Sequence, residues 1–351
     1  MREVSRNEAP LLRILLFLLG LAIVLSSLWA VLAFWYQAPG KSFGRYALII
    51  GWGLAALVLL VLLWRGMLWQ PLIAYALMFV LLRVWWASLE PSNHRDWSDD
   101  LAQTTHGEVA GQQVTLHNVR NFHWRSETDY DIRWETRQYD LARLHSVDMT
   151  TSYWDLPAIA HVLVSFGFDD GEFVVFSVEI RKERHEAFSE IGGFFKKFEL
   201  SIVATDERDA IAVRTNVRGE DAYLYRTRLD DTAARQLFLA FVDEANQLAA
   251  KPRFYHTVTA NCTTLVFSMM RRIIGELPLD YRLLLSGHLP AYVQTQRGLQ
   301  LGYSLEQLKA QGRITDRAIA ADQTPDFSSQ IRQGVPGWEA ETLPATQAPM
   351  P

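Results

Sequence analysis

The chain has 351 residues, a formal net charge of −5 and 49% hydrophobic residues. The modest negative charge and the lack of a basic run argue against a nucleic-acid partner. Because Cys262 is the single cysteine, an intramolecular disulfide is excluded.

Apolar residues are concentrated in three runs, at about 11–36, 46–64 and 67–86. Each run approaches or exceeds the ~20 residues needed to cross a hydrocarbon core of ~30 Å. A cleaved signal peptide is the alternative for the first run, but the run is too long and two more follow it. We therefore predict a membrane region over residues 1–88 with three transmembrane helices and the lipid bilayer as a partner.

The charges beside these runs indicate an orientation. Arginines before the first run, and Arg65 between the second and third, favour a cytoplasmic N-terminus. Lys41 and Arg45 in the first loop favour the opposite orientation. With three spans, the sequence predicts a multi-pass protein of the bacterial inner (cell) membrane, with its C-terminal domain in the periplasm.

Residues 89–337 are enough for one domain with its own core. Residues 338–351 are predicted to be a disordered tail. Alternating apolar residues predict strands at 114–119, 161–166, 173–179, 211–214 and 222–225. Asp169-Asp170-Gly171 is a hairpin turn signal. A helix is predicted over Ala233–Ala249 with Asp231 or Thr232 as its cap. This order predicts an α+β domain.

Cys262 lies where a polar segment turns into a run with apolar residues at helical spacing. The spacing predicts that Cys262 lies in the first turn of a helix, with Asn261 and the adjacent threonines as N-cap candidates. The positive end of the helix dipole favours a thiolate there. A small buried core residue is the alternative reading.

A thiol nucleophile needs a base and a group that orients the base. His161 begins one predicted strand and Glu179 closes the next, so the hairpin can place them side by side. Ser177, Glu179 and Arg181 share one strand face. A solvated surface carboxylate is the alternative for Glu179. Three other histidines compete as the base: His185, His256 and His288.

The sequence contains no Cys-x-x-Cys, no His-x-x-x-His and no glycine-rich phosphate loop. It therefore predicts neither a metal site nor a cofactor.

Several stretches in one order resemble a known family. They are Ser92-Asn93-His94-Arg95-Asp96-Trp97, Asn118-Val119-Arg120-Asn121-Phe122, Ser165-Phe166-Gly167-Phe168, Ser177-Val178-Glu179-Ile180-Arg181, Asp206-Glu207-Arg208-Asp209, Phe254-Tyr255 and Asn261-Cys262-Thr263-Thr264. Together they resemble the Lnb N-terminal periplasmic domain family, named after a bacterial lipoprotein N-acyltransferase. The similarity runs from about residue 90 to 335.

The resemblance implies a thiol domain of the papain and NlpC/P60 kind, circularly permuted so that the histidine strand precedes the cysteine helix. It implies Cys262 as the nucleophile and His161 as the base, and Glu179 is our choice for the orienting group. Positioning or oxyanion roles are expected for Asn261, Ser177, Tyr255 and Arg181. The sequence departs from the family pattern at His256 and Ala260, so no hydrogen-bonding role is carried to either.

Three functions remain open at this point. The first is a thiol acyltransferase or hydrolase that acts on a lipoprotein or a phospholipid. The second is an NlpC/P60-like amidase or peptidase that cleaves peptidoglycan peptides in a polar cleft. The third is a non-catalytic membrane scaffold in which Cys262 is merely buried and has no histidine beside it.

Overall fold

The computed structural model describes residues 8–39, 42–322 and 324–338. The chain forms two compact units. Unit 1 comprises Met1–Ser92 and Ser189–Lys197, and unit 2 comprises Asn93–Phe188 and Phe198–Pro351.

Three long helices make up most of unit 1. They are α1 (Glu8–Gln37), α2 (Ser42–Trp64) and α3 (Trp69–Ala87). All three are long and apolar enough to cross a membrane, and no more than 17% of each apolar window is buried. Apolar surface this exposed is unfavourable in water. The prediction of three apolar N-terminal helices is confirmed.

Small residues and hydroxyl groups lie at the packing contacts of these helices. Ala30 and Ala33 on α1 are fully buried, which lets neighbouring backbones approach closely. The Tyr75 hydroxyl of α3 lies 2.8 Å from Ser26 Oγ and 2.9 Å from Ser27 Oγ. These contacts satisfy polar groups that hydrocarbon would leave without partners.

A segment distant in sequence completes unit 1. Within Ser189–Lys197, the ring of Phe195 stacks on Tyr36 at 5.6 Å. Gln37 Nε2 donates to the carbonyls of Phe195 (2.9 Å) and Lys196 (2.7 Å). This part of the predicted 89–337 domain therefore belongs with the apolar helices.

Unit 2 is built on a twisted sheet of mainly antiparallel strands. The described strands are β1 (His106–Ala110), β2 (Gln113–Arg120), β3 (His123–Trp124), β4 (Tyr130–Asp131), β5 (Trp134–Asp140), β6 (Leu144–Tyr153), β7 (His161–Phe168), β8 (Phe173–Arg181), β9 (Glu199–Asp206) and β10 (Asp221–Arg226). The order is β1-β2-β9-β8-β7-β6-β10, with β5 also paired to β2, while β3 and β4 form a separate ribbon. Within the sheet, β2 and β9 pair parallel.

Helices cover both faces of this sheet. The described helices are α4 (Glu207–Ala212), α5 (Asp231–Ala250), α6 (Thr264–Ile274), α7 (Leu289–Thr295), α8 (Leu305–Gly312), α9 (Thr315–Ala320) and α10 (Phe327–Ile331). On β7, Val164 and Phe166 belong to the core that includes α5 and α6. Leu163 belongs to the opposite core, with α4, α9 and α10. The domain is mixed α and β, as predicted.

Two local predictions need correction. Ile211–Arg214 is not a strand, because α4 continues into a π-helical turn at Val213–Val217. A four-residue apolar run does not distinguish strand from helix, and Asp206 caps α4 by accepting from the N–H of Arg208. The cap of α5 is Asp230, which accepts from Ala233 N–H at 2.8 Å.

The predicted tail at 338–351 lies almost wholly outside the described residues. Its first residue, Trp338, is described, and its indole Nε1 donates to Asp148 at 2.9 Å. Trp338 also packs against the core that includes α9 and α10.

Buried ion pairs join the parts of unit 2. Asp209 accepts two hydrogen bonds from Arg120, at 2.9 and 3.0 Å. It also accepts from the Phe122 N–H and from Trp124 Nε1, each at 2.8 Å. Four donors around one buried carboxylate fix the junction of β2, β3 and α4.

Candidate functional site

Two neighbouring strands bring the predicted polar side chains together. β7 and β8 pair antiparallel with Leu163 opposite Ser177. Continued by two residues, this register puts His161 opposite Glu179. Ser177 and Glu179 are two residues apart on β8, so both side chains lie on the same face of the sheet.

Hydrogen bonds connect these three side chains. His161 Nε2 lies 2.7 Å from Ser177 Oγ and 3.2 Å from Glu179 Oε1. Ser177 donates its hydroxyl hydrogen to the same Oε1 at 2.6 Å, so its oxygen accepts from Nε2–H. Because Nε2 carries a proton, Nδ1 is the imidazole nitrogen available to the thiol.

Cys262 lies in the turn just before α6, and not in its first turn as the sequence predicts. α6 begins at Thr264. Asn261 Oδ1 accepts from the N–H groups of Thr263 (2.9 Å) and Thr264 (2.8 Å). Asn261 therefore satisfies the first free donors of the helix, which is the action of an N-cap side chain.

The thiol meets the imidazole at the beginning of β7. Cys262 is half-buried, and its thiol interacts with the His161 side chain and with the N–H of Val162. It packs against the core of the α5–α6 face. Glu179 shares a strand face with Val175, which belongs to the opposite core. The site therefore lies at the end of the sheet where β7 begins. The thiol packs on the core of one face, and the carboxylate lies on the face of the opposite core.

The electrostatics favour a charged thiol–imidazole pair. Burial opposes charge on His161, but the Glu179 carboxylate and hydrogen bonds to Cys262 and Glu179 raise its pKa to about 9. Burial also opposes a thiolate, yet the hydrogen bond and charge of His161 lower the pKa of Cys262 below its ordinary value. His161 likewise holds the pKa of Glu179 well below its ordinary value, against the effect of burial.

Arg214 is a fifth contributor that the sequence did not reveal. Its Nη2 donates to Glu179 Oε1 at 2.9 Å, and its Nη1 donates to the carbonyl of Ala210 at 2.8 Å. The sequence placed Arg214 at the end of a strand. It lies instead in the π-helical turn after α4, and such turns are frequent at functional sites.

Of the other predicted positioning residues, Arg181 is engaged away from the thiol and Tyr255 packs against the same core as Cys262. Arg181 donates to the carbonyls of Leu101 and Ala102, each at 3.0 Å, and to Asn93 Oδ1 at 2.9 Å. It therefore holds the first segment of unit 2. Tyr255 packs against the core of the α5–α6 face.

The competing histidines have different surroundings. The His185 side chain is 76% exposed, and His288 is exposed just before α7. His256 and Ala260 bond to each other through their backbones, at 3.2 and 2.9 Å. The two positions that depart from the family pattern therefore close the loop ahead of Cys262.

The arrangement can supply a nucleophilic thiolate, a proton donor and a fixed carboxylate. Within the part of the chain that the structure describes, no group of three or more His, Cys, Asp or Glu residues is arranged to hold a metal ion.

A segment of the chain matches a family model. No curated protein and no solved structure matches the chain. Residues 130–287 match the model of the Lnb N-terminal periplasmic domain family, and this segment includes His161, Ser177, Glu179 and Cys262. The match supports the family resemblance seen in the sequence. Together with the three apolar helices, it fits an inner-membrane protein with a Lnb-like periplasmic domain.

Proposed function

We propose that this protein is a membrane-anchored periplasmic cysteine-dependent acyltransferase or hydrolase that acts on lipoprotein or phospholipid acyl groups. The observation that carries the proposal is the interaction of the Cys262 thiol with His161, whose imidazole is hydrogen-bonded to Ser177, which in turn donates to Glu179. The four residues supply a nucleophile, a base and an orienting group, as covalent catalysis requires.

The first half of the reaction forms an acyl-enzyme. The Cys262 thiolate attacks the carbonyl carbon of an acyl ester and forms a C–S bond. As the C–O bond breaks, the His161 imidazolium gives its proton to the leaving oxygen. The products are a thioester on Cys262, a free alcohol and a neutral His161.

The second half returns the enzyme to its starting state. An amine or a water molecule attacks the thioester carbonyl, and His161 takes the proton that this nucleophile loses. The C–S bond breaks with its electron pair on sulfur, which restores the thiolate. The acyl group leaves as an amide or as a free acid.

Stabilising the oxyanion requires a free donor next to the sulfur. The N–H groups of Thr263 and Thr264 are bonded to Asn261, whose Nδ2 donates to the Thr257 carbonyl at 2.6 Å. The backbone N–H of Cys262 has no hydrogen-bond partner among the described residues. We therefore assign the oxyanion to the Cys262 N–H and a capping role to Asn261.

The order of the residues supports the proposed fold relationship. His161 on β7 and Glu179 on β8 precede Cys262 in the chain, which is the order of a circularly permuted papain or NlpC/P60-type domain. The interaction of the thiol with His161 counts against the scaffold alternative, which predicts no histidine beside Cys262.

Exposed apolar residues in the loop before β7 and in the segment after α6 favour an acyl substrate over a peptidoglycan peptide. The loop that leads into β7 exposes Trp154 (41%) and Leu156 (63%), and the segment after α6 exposes Leu279 (77%). The Gly287 N–H donates to the Ala158 carbonyl at 2.9 Å and ties the two segments together. Exposed apolar groups of this size suit an acyl chain, whereas a peptidase calls for a polar cleft.

The test is mass spectrometry of lipoprotein N-termini from the host. It compares cells with the intact protein, cells lacking it, and cells with the Cys262→Ala form. We expect N-acylation to be lost in both altered strains. In parallel, the purified full chain in lipid nanodiscs should carry an acyl thioester on Cys262 that hydroxylamine releases.

His185→Ala is the matched control for His161→Ala, because His185 is an exposed histidine outside the site. The control should keep the adduct, and His161→Ala should lose it. Unchanged lipoproteins in both altered strains, with peptidoglycan peptides changed instead, support the amidase alternative. An effect of the deletion without an effect of Cys262→Ala makes the thiol structural and refutes the proposal.

A further inference from the structure

Arg214 is the cation nearest the carboxylate of the candidate site. Its side chain is 6% exposed, and Nη2 donates to Glu179 Oε1, the oxygen that also accepts from Ser177 and faces His161. Its Nη1 is fixed by the carbonyl of Ala210, one turn earlier. The guanidinium is therefore held in place against the carboxylate oxygen that also faces the imidazole.

A second set of contacts fixes the turn that carries Arg214. The Glu220 N–H donates to the Arg214 carbonyl at 2.9 Å. The Glu220 carboxylate accepts from Ser152 Oγ at 2.6 Å, and Ser152 is paired with His161 across β6 and β7. The turn is thus tied to the strand next to His161 as well as to Glu179.

The charges around the site act in opposite directions on the imidazole. Glu179 attracts the proton on His161, and Arg214 repels it. Glu220, Arg218 and Arg120 also act electrostatically on Arg214. A general acid must give up its proton during the reaction, so a carboxylate with no opposing charge makes a poorer acid of its histidine.

We propose that Arg214 is a positioning residue that anchors the Glu179 carboxylate behind His161 and, by its charge, limits how strongly that carboxylate holds the imidazolium proton. This rests on the proposed thiol chemistry, but it concerns the Cys262–His161 pair alone and needs no substrate. It assigns a role to a residue 35 positions from Glu179 in the chain.

The test follows the reaction of the full chain with iodoacetamide as a function of pH. Cys262 is the single thiol, so the rate reports one site. The rate should rise in two steps, first as the thiolate forms and again as the imidazolium loses its proton, because the unpaired thiolate is more nucleophilic. The upper step marks the pH limit of the ion pair.

We expect Arg214→Met to move the upper step to higher pH, because a repelling charge is gone. Arg214→Lys keeps that charge and should leave the step in place, as should the matched control Arg218→Met. If the Met form does not fold by circular dichroism, Arg214→Gln replaces it with the same expected shift. A loss of reactivity without a shift, a shift to lower pH, or a Lys form that behaves like Met overturns the proposal.

These outcomes are separate from the fate of the proposed function. An upper step that shifts as expected, in a protein that leaves lipoproteins unchanged, supports the role of Arg214 in the thiol site and rejects the acyl substrate. An unshifted step with N-acylation intact rejects the role of Arg214 and supports the acyl substrate.

Discussion

Replacing Glu179 by glutamine tests whether the carboxylate creates the thiolate. The substitution keeps the shape and removes the charge that contributes most to raising the His161 pKa from 6.5 to about 9. That shift corresponds to about 3 kcal/mol in favour of the imidazolium. Without it, burial acts on the imidazole unopposed by the carboxylate, and the pKa of His161 should fall to 6.5 or below.

The consequence at neutral pH is large. At pH 7 a histidine with a pKa of 9 is about 99% protonated, whereas one with a pKa of 6.5 is protonated in roughly a quarter of molecules. Cys262 loses its cationic partner in the remainder, and burial then raises the pKa of the thiol. The Glu179→Gln form should therefore lose most of its thiolate at pH 7 and regain it only at alkaline pH.

The assay is the ultraviolet absorbance of the thiolate, measured from pH 4 to 10 on the full chain in detergent. Subtraction of the Cys262→Ala spectrum isolates the single thiol. Glu172→Gln is the matched control, because Glu172 is an exposed carboxylate in the β7–β8 turn. If Glu179→Gln keeps the wild-type titration curve, the carboxylate does not hold the ion pair and our account of the site is wrong.

The same coupling predicts how stability depends on pH. The folded-state pKa of His161 lies above its unfolded value of 6.5, at about 9. Its contribution to folding is therefore complete below pH 6.5 and disappears as the pH rises through 9. Because Cys262 gives up its own proton over the same interval, the comparison uses the Cys262→Ala background, in which the melting temperature should fall more than that of the Cys262→Ala/His161→Gln double variant. Parallel curves for the two proteins contradict the assignment.

Three further substitutions test the scaffold around the site. Asp209→Asn leaves the guanidinium of Arg120 buried beside a neutral amide. Thermal unfolding should show that the free energy of unfolding falls by about 3–5 kcal/mol. A fall of less than about 1 kcal/mol contradicts the buried pair. Asn261→Ala removes the cap of α6 and should lower the free energy of unfolding in urea by about 1 kcal/mol. An unchanged free energy of unfolding contradicts the role of the cap. Gly287→Ala brings a Cβ onto the carbonyl of Pro157. Limited proteolysis should therefore cut the loop ahead of β7 faster than in the wild type. An equal rate of cleavage argues against this close approach.

Much of the fold could be predicted from local pattern. The apolar runs mark α1 to α3, and the alternation in β7 and β8 marks two strands joined at Asp169-Asp170-Gly171. Gly171 has φ +82°, which a side chain other than glycine rarely adopts. Since a strand has a period of two, this turn and register also predict that His161 and Glu179 are neighbours. The short run at 211–214 carries no such periodicity, and its prediction as a strand is wrong.

What the sequence determined about this protein follows from contacts between residues close in the chain or joined by one hairpin. It gave the apolar helices, the mixed α and β domain and the pairing of His161 with Glu179. Only the tertiary structure decided that Arg214 contacts Glu179. This contact depends on the packing of α4 against the sheet, and no local period encodes that packing.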